Sequence, residues 1–243
     1  MIRRILTSLV LVLLAPAAWA AEKVDLELVL LADASRSIDA AESRFQRQGY
    51  ATAITHEDIL FAIAHGRFKR IAVTYVEWGD DTSQDVVVPW TVIDGPDSAA
   101  AFANALMAAP RRANGPNAIG AALTVAQGLI DTNAYDGARR VIDLSGDSAF
   151  SMDYIEPARQ AAVGAGTTIN GLAILCRQAD CGGRPVGYDL EAAFAAEIIG
   201  GRGAFVVTAD GRDRFAAAVR RKLILEIAGP GLPGAEQLAD RHR

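Results

Sequence analysis

Val24-Asp25-Leu26-Glu27-Leu28-Val29-Leu30-Leu31-Ala32-Asp33-Ala34-Ser35-Arg36-Ser37 is the stretch that decides the fold of this chain. Its apolar part, residues 24–32, reads as a buried strand. The run stops on an acid, and two hydroxyls spaced two residues apart follow at once. In open α/β sheets, ligands bind outside the carboxyl ends of the strands, so Asp33 stands where a ligand site is expected.

Outward from this stretch, further strands are expected at 70–76, 85–90, 140–144, 167–174 and 204–207, with helical patterns between most of them. Phe45, Gly49, Thr52 and Ala53 share a helical face, Thr55-His56-Glu57-Asp58 resembles a capping box, and 59–64 continues as an apolar helical turn. An alanine-rich helix opens at Asp97-Ser98, and Ile119, Leu123, Ala126 and Ile130 mark one side of the next. Segments 188–199 and 212–227 complete the set. Only 70–90 holds two strands with no helix between them, joined by Gly79-Asp80-Asp81-Thr82-Ser83, which is a hairpin signal. The expected fold class is therefore α/β, a doubly wound, Rossmann-like and mostly parallel sheet of about six strands with one antiparallel edge strand.

The ends of the chain read differently. Arg3 and Arg4, an apolar stretch over 5–14 and Ala18-Trp19-Ala20 have the layout of a secretory signal peptide, residues 1–20, cleaved after Ala20. The apolar stretch is shorter than the ~20 residues a spanning helix needs; an uncleaved N-terminal anchor is the alternative reading. One domain over 21–229 follows, and 230–243, beginning in glycine and proline, reads as a disordered tail. Without the signal, the 24 Lys and Arg fall to 22 against 29 Asp and Glu, an acidic balance that argues against nucleic acid or an anionic membrane as partner. Export, periplasmic or secreted, favours a local disulfide between Cys176 and Cys181. A zinc site would need two further ligands, and His56, His65 and His242 are all distant in sequence.

The segment Val141-Ile142-Asp143-Leu144-Ser145-Gly146-Asp147 ends as the first strand does. If the two strands are neighbours, Asp33 and Asp147 face each other across the crevice, where their charges conflict unless a cation lies between them. Ser35 and Ser37 add neutral oxygens. Such a set, without sulfur or imidazole, suits Mg²⁺, Ca²⁺ or Mn²⁺. A second reading is local: Ser37 caps the following helix and Ser35 satisfies a turn.

With Asp33-Ala34-Ser35-Arg36-Ser37, a loop over 114–120 opening a helix, and a strand ending near Asp147, the chain resembles a von Willebrand factor type A (vWA) domain. VTYVEW from Val73, VVVPW from Val86, RRVIDLSGD from Arg139, INGLAIL from Ile169 and GAFVV from Gly203 are similar to an uncharacterised bacterial family of exported proteins carrying that domain. The resemblance covers residues 24–229. It implies a metal-ion-dependent adhesion site (MIDAS) formed by Asp33, Ser35, Ser37, Asn117 and Asp147, with one position open for an acidic side chain of a protein partner. Asn117 stands where the motif has threonine and offers a carboxamide oxygen instead. A metal-independent interaction domain is the alternative this difference favours.

Enzyme readings are weaker. An aspartyl phosphatase needs a second acid where Ser35 stands. Gly146-Asp147-Ser148 is similar to a lipase nucleophile block, but Asp240 and His242 have the wrong spacing for its triad. No glycine-rich nucleotide loop follows the first strand. The chain is therefore expected to be a binding protein, with no catalytic residues and, after signal cleavage, no stable membrane insertion. His56 and His65 are expected in surface or capping roles, Trp78 as a buried anchor of the hairpin, and Arg139-Arg140 and Arg220-Arg221-Lys222 as solvated faces or cations near a helix C-terminus.

Overall fold

The computed structural model describes residues 21–175 and 187–229, together with Gln237 and Ala239. The signal peptide and the Cys176–Cys181 pair lie outside the described residues. Of the expected tail, Gln237 and Ala239 are helical and Ala239 is buried.

In chain order the elements are β1 (Glu22–Val24), β2 (Glu27–Asp33), α1 (Ala40–Ile54), α2 (Glu57–Ala64), β3 (Ile71–Trp78), β4 (Gln84–Ile93), α3 (Pro96–Ala108), α4 (Ile119–Asp131), β5 (Tyr135–Gly137), β6 (Arg140–Gly146), α5 (Ile155–Gly164), β7 (Thr168–Leu175), α6 (Leu190–Ala193) with a π-helical turn over Phe194–Ile198, β8 (Val206–Asp210) and α7 (Arg212–Ala228). The main sheet has six strands in the order β4-β3-β2-β6-β7-β8. Only β4 runs antiparallel, at the edge. Pro89, which lacks a ladder donor, is tolerated on that edge, and the pairing is irregular nearby, where the Thr74 hydroxyl donates to Val88 O at 2.8 Å. The α/β class, the strand count and the antiparallel edge are thus as the sequence predicts.

The central strand β2 is buried at every position. Period-2 alternation sends Leu28, Leu30 and Ala32 to one face, where they meet α1, α2, α3 and α7, and sends Val29 and Leu31 to the other, where they meet α4, α5 and α6. Burying both faces explains why polar residues are scarce along the run. On the first face, α1 and α7 approach closely: a Cβ at Gly49 would lie 2.5 Å from the Phe215 ring. Tyr50 packs edge-on against Tyr75 with centroids 5.4 Å apart.

Several local expectations need correction. The 24–32 strand is two strands, because Asp25 turns aside to accept from the amides of Phe68 (3.0 Å) and Arg70 (3.4 Å). Its first part pairs with β5 in a separate two-stranded sheet. The buried stripe of α1 runs through Gln46, Gly49, Tyr50, Ala53 and Ile54, which leaves Thr52 exposed. His56, not Thr55, caps α2, its Nδ1 accepting from Asp58 N at 3.2 Å. His65 is exposed, and Trp78 is fully buried as expected. Arg139 donates to Ile227 O at 2.6 Å and to Glu226 O at 2.5 Å, so it does serve a helix C-terminus. Lys222 is not solvated. It is completely buried, 2.6 Å from Asp143 and 2.5 Å from Glu226.

Candidate metal-binding face

The chain winds from β2 to β3 on one side and places β6 on the other, so the winding direction reverses between β2 and β6. Their parallel register pairs Ala32 with Ser145. Asp33 ends β2 beside Gly146, and a Cβ at that glycine would sit 3.4 Å from Asp33 Oδ2. Asp147 follows directly. The two acids are therefore brought together at the topological switch point.

Asp33 Oδ1 accepts from Ser35 N at 2.8 Å, which folds the loop into a tight turn. That turn brings Ser35 Oγ to 3.1 Å from Ser37 Oγ, and Ser37 Oγ donates to Asp147 Oδ1 at 3.3 Å. Ser37 is not the cap of α1; Asp39 is, accepting from Glu42 N at 2.8 Å. The two serines are thus left free to line the space between the acids.

Arg36 N donates to Gly115 O at 2.8 Å, seating the loop of Asn117 against this turn. Gly79 permits the close approach of the hairpin, since a Cβ there would lie 2.1 Å from Asn114 O. Ala118 N in turn donates to Gly79 O at 3.0 Å. Within this cluster two oxygens are buried without a hydrogen-bond partner, Asp33 Oδ2 and Asn117 Oδ1.

Burial, with the neighbouring Asp147 charge adding to it, pushes the Asp33 carboxyl up to about 7; Ser35 and the Asp147 backbone oppose the rise without cancelling it. Burial also raises Asp147, against the hydrogen bond from Ser37. Neither carboxylate has an ion pair among the described residues. No point gathers three or more His, Cys, Asp or Glu side chains among them, so any cation here depends on the hydroxyl and amide oxygens as well as the two acids.

Three supports escape sequence reasoning. The Arg111 guanidinium donates to the carbonyls of Ala34 (2.9 Å) and Ile38 (2.7 Å), bracing the turn from beneath. Arg47 is held bidentate by Glu77 at 2.7 and 2.8 Å and donates to Pro110 O at 3.2 Å, steadying the segment that leads to Arg111. Ser151 Oγ accepts from Ile119 N at 2.9 Å, and the Asp153 carboxylate accepts from Gly120 N and Ala121 N at 3.0 and 2.6 Å. These residues satisfy the first turn of α4 from 32 or 33 positions away, where no local capping pattern signals them.

The family model described as protein of unknown function (DUF1194) matches residues 23–231. The chain belongs to this family. No curated protein matches it. Among solved structures, the chain is similar to the pilus adhesin SpaC from Lactobacillus rhamnosus GG, with a TM-score of 0.60 and 13% identity over 86% of this chain and 31% of that one. It is also similar to a von Willebrand factor type A protein from Catenulispora acidiphila, with a TM-score of 0.56 and 18% identity over 84% of this chain and 43% of that one. A third likeness is to proximal thread matrix protein 1 of the mussel byssus, solved with zinc in its MIDAS motif: TM-score 0.55, 13% identity, 86% of this chain and 49% of that one. The chain spans about a third to a half of these proteins. It is a DUF1194 chain with a vWA-like fold.

Proposed function

We propose that this DUF1194 chain is an exported binding module that holds a divalent cation at the switch point and uses it to take an acidic side chain of a protein partner. The observation that carries this reading is the pairing of buried Asp33 with part-buried Asp147, which has no ion pair among the described residues and leaves Asp33 Oδ2 and Asn117 Oδ1 without a hydrogen-bond partner. Buried acceptors without donors are costly, and a hard cation satisfies such oxygens. Asp33, Ser35, Ser37, Asn117 and Asp147 would hold the ion, Mg²⁺ first among Mg²⁺, Mn²⁺ and Ca²⁺. Bound there, the ion supplies a centre of positive charge at the surface, to which a carboxylate adds as a further ligand.

The mussel protein's zinc-occupied MIDAS supports metal binding on this fold, and the adhesin likeness supports a binding role. Export rests on the signal-like first twenty residues; no described helix is long and apolar enough to cross a membrane. A hydrolytic role for Ser148 has little support, since its Oγ meets Phe150 N and Tyr188 OH, neither of which activates a nucleophile as a histidine would. Asn117, in place of a threonine, favours a second reading as a metal-independent interaction domain.

Thermal melts and calorimetric titration separate the two. Millimolar Mg²⁺ or Mn²⁺ is expected to raise Tm over the value in chelator, by about 2.7 kcal/mol of stabilisation at a hundredfold excess over Kd. Asp147→Ala abolishes the shift. No heat and no Tm change in the unaltered chain would sink the metal reading.

A further inference from the structure

Six large hydrophobic side chains are exposed among the described residues, and four of them gather on one side of the metal-binding face. Phe150 (64% exposed), Met152 (64%) and Tyr154 (90%) project from the loop that follows Asp147, and Tyr188 (49%) lies against its start. The loop is tied down rather than loose. Tyr188 OH accepts from Ala149 N at 3.0 Å, Phe150 N donates to Ser148 Oγ at 3.0 Å, and Met152 N donates to Asn117 O at 2.7 Å. The Ser151 and Asp153 caps on α4 fix the two residues that alternate with Phe150, Met152 and Tyr154. A backbone this well anchored, holding three consecutive alternate side chains out into water, presents a preformed apolar ridge.

The charges on either side of the ridge differ in sign. Toward the switch point lie the cation proposed above and the exposed Arg36. On the other flank, Phe150, Tyr154 and Ile155 line a shallow groove of about 380 Å³ together with Asp153, Glu156 and Glu197. Glu156 is paired with Arg159 at 2.7 Å, and Glu197 has no ion pair among the described residues. A positive end, an apolar ridge and an acid-lined groove beside it define the complementary sequence of charges.

We propose that Phe150, Met152 and Tyr154 form a specificity ridge that selects a partner segment with a large apolar side chain beside its acidic residue and a basic side chain beyond. The proposal rests on the cation-dependent reading and sharpens its partner. The cation takes any accessible carboxylate with little discrimination, whereas the ridge rejects segments that leave its apolar side chains wet. Binding therefore needs both.

The test is selection of random displayed twelve-residue peptides on the purified full chain in Mn²⁺, with elution by chelator, followed by affinity measurement on synthetic copies of the enriched peptides. Enrichment of an acid next to Phe, Leu, Met or Trp, with Lys or Arg beyond, is expected. The combined variant Phe150→Ser, Met152→Ser, Tyr154→Ser should weaken those peptides by about tenfold or more while keeping the Mn²⁺-dependent Tm shift. Peptides with an acid but no apolar preference, or equal affinity for the variant, overturn the ridge and leave the metal reading standing. Peptides held equally well in chelator overturn the metal reading and with it the cooperation claimed here. Absence of enrichment on the unaltered chain overturns the ridge, and the Tm shift then decides the metal reading separately.

Discussion

Two pairs of carboxylates lie around β6, one at its carboxyl end, where Asp33 is buried and Asp147 part-buried, and one fully buried along its length. Asp33 and Asp147 share the first place; Asp143 and Glu226, with Lys222 between them, share the second. Within the core, Lys222 Nζ reaches both acids, and Asn170 Nδ2 donates to Glu226 Oε1 at 2.9 Å. At the sheet end no lysine or arginine among the described residues stands in that role, and the neutral groups present there are hydroxyls, amides and backbone. Lys222 neutralises one pair internally, and on the proposed reading a bound cation neutralises the other. Burying carboxylates close together is costly in either place, so the lack of an ion pair at the switch point among the described residues supports the proposed cation.

Removing Lys222 tests this contrast with the largest effect. Lys222→Met leaves Asp143 and Glu226 buried without their cation, and breaking a buried pair in this way costs about 3–5 kcal/mol. Urea denaturation at pH 8 should show a loss of that size. Asp33→Asn in chelator is expected to cost nothing or to stabilise slightly, because it removes a charge with no cation to miss. A comparable loss from both substitutions would erase the distinction between the pairs.

Titration of the core pair gives the next effect. Burial, with the Asp143 charge adding to it, pushes Glu226 from 4.5 up to about 7, against the opposing help of Lys222 and Asn170. A carboxyl whose pKa is higher when folded binds its proton more tightly in the folded state, so folding is favoured below the unfolded value and loses that contribution as pH rises through the folded one. The window is about 4.5 to 7. Glu226→Gln cannot titrate, so the stability of the native chain should fall relative to this variant by on the order of 2 kcal/mol between pH 5 and pH 8. Parallel stability curves would mean that Glu226 stays ionised throughout, fully compensated by Lys222.

The two regions also differ in how far they are legible in the sequence. Asp33, Ser35 and Ser37 are adjacent and end an apolar run, so strand periodicity alone places them at a strand terminus. Asp147 follows from the same rule applied to β6. Lys222 hides in Arg220-Arg221-Lys222, where a charge run reads as solvent-facing; the only local sign was Glu226 four residues on, since an i, i+4 pair can face the core as readily as water. Arg111 and Arg47 bear no sign at all. Their partners are backbone carbonyls and an acid 30 or more residues away, brought near only when the helices close on the sheet. The three-residue β1 and β5 are too short for a periodic signal, and the break at Asp25 depends on amides of a distant turn.

Asn117 gives the smallest and most discriminating test. Its Oδ1 is buried with no donor, a situation that costs about 1–3 kcal/mol unless a ligand completes it. Asn117→Thr shortens the side chain, removes the orphaned carboxamide and places a hydroxyl at the loop position that the vWA pattern gives to threonine. Mg²⁺ affinity should tighten by about three- to tenfold, which is about 0.7–1.4 kcal/mol, while Asn117→Ala should weaken it by a similar factor. Calorimetric titration of the three proteins reads both changes directly. Were neither substitution to move Kd, Asn117 would lie outside the coordination sphere, and its unpartnered oxygen would have to be satisfied by water. The two acids and two serines would then bind the cation alone, and a fully oxygen-lined site at the switch point would shrink to the residues of the Asp33 turn and Asp147.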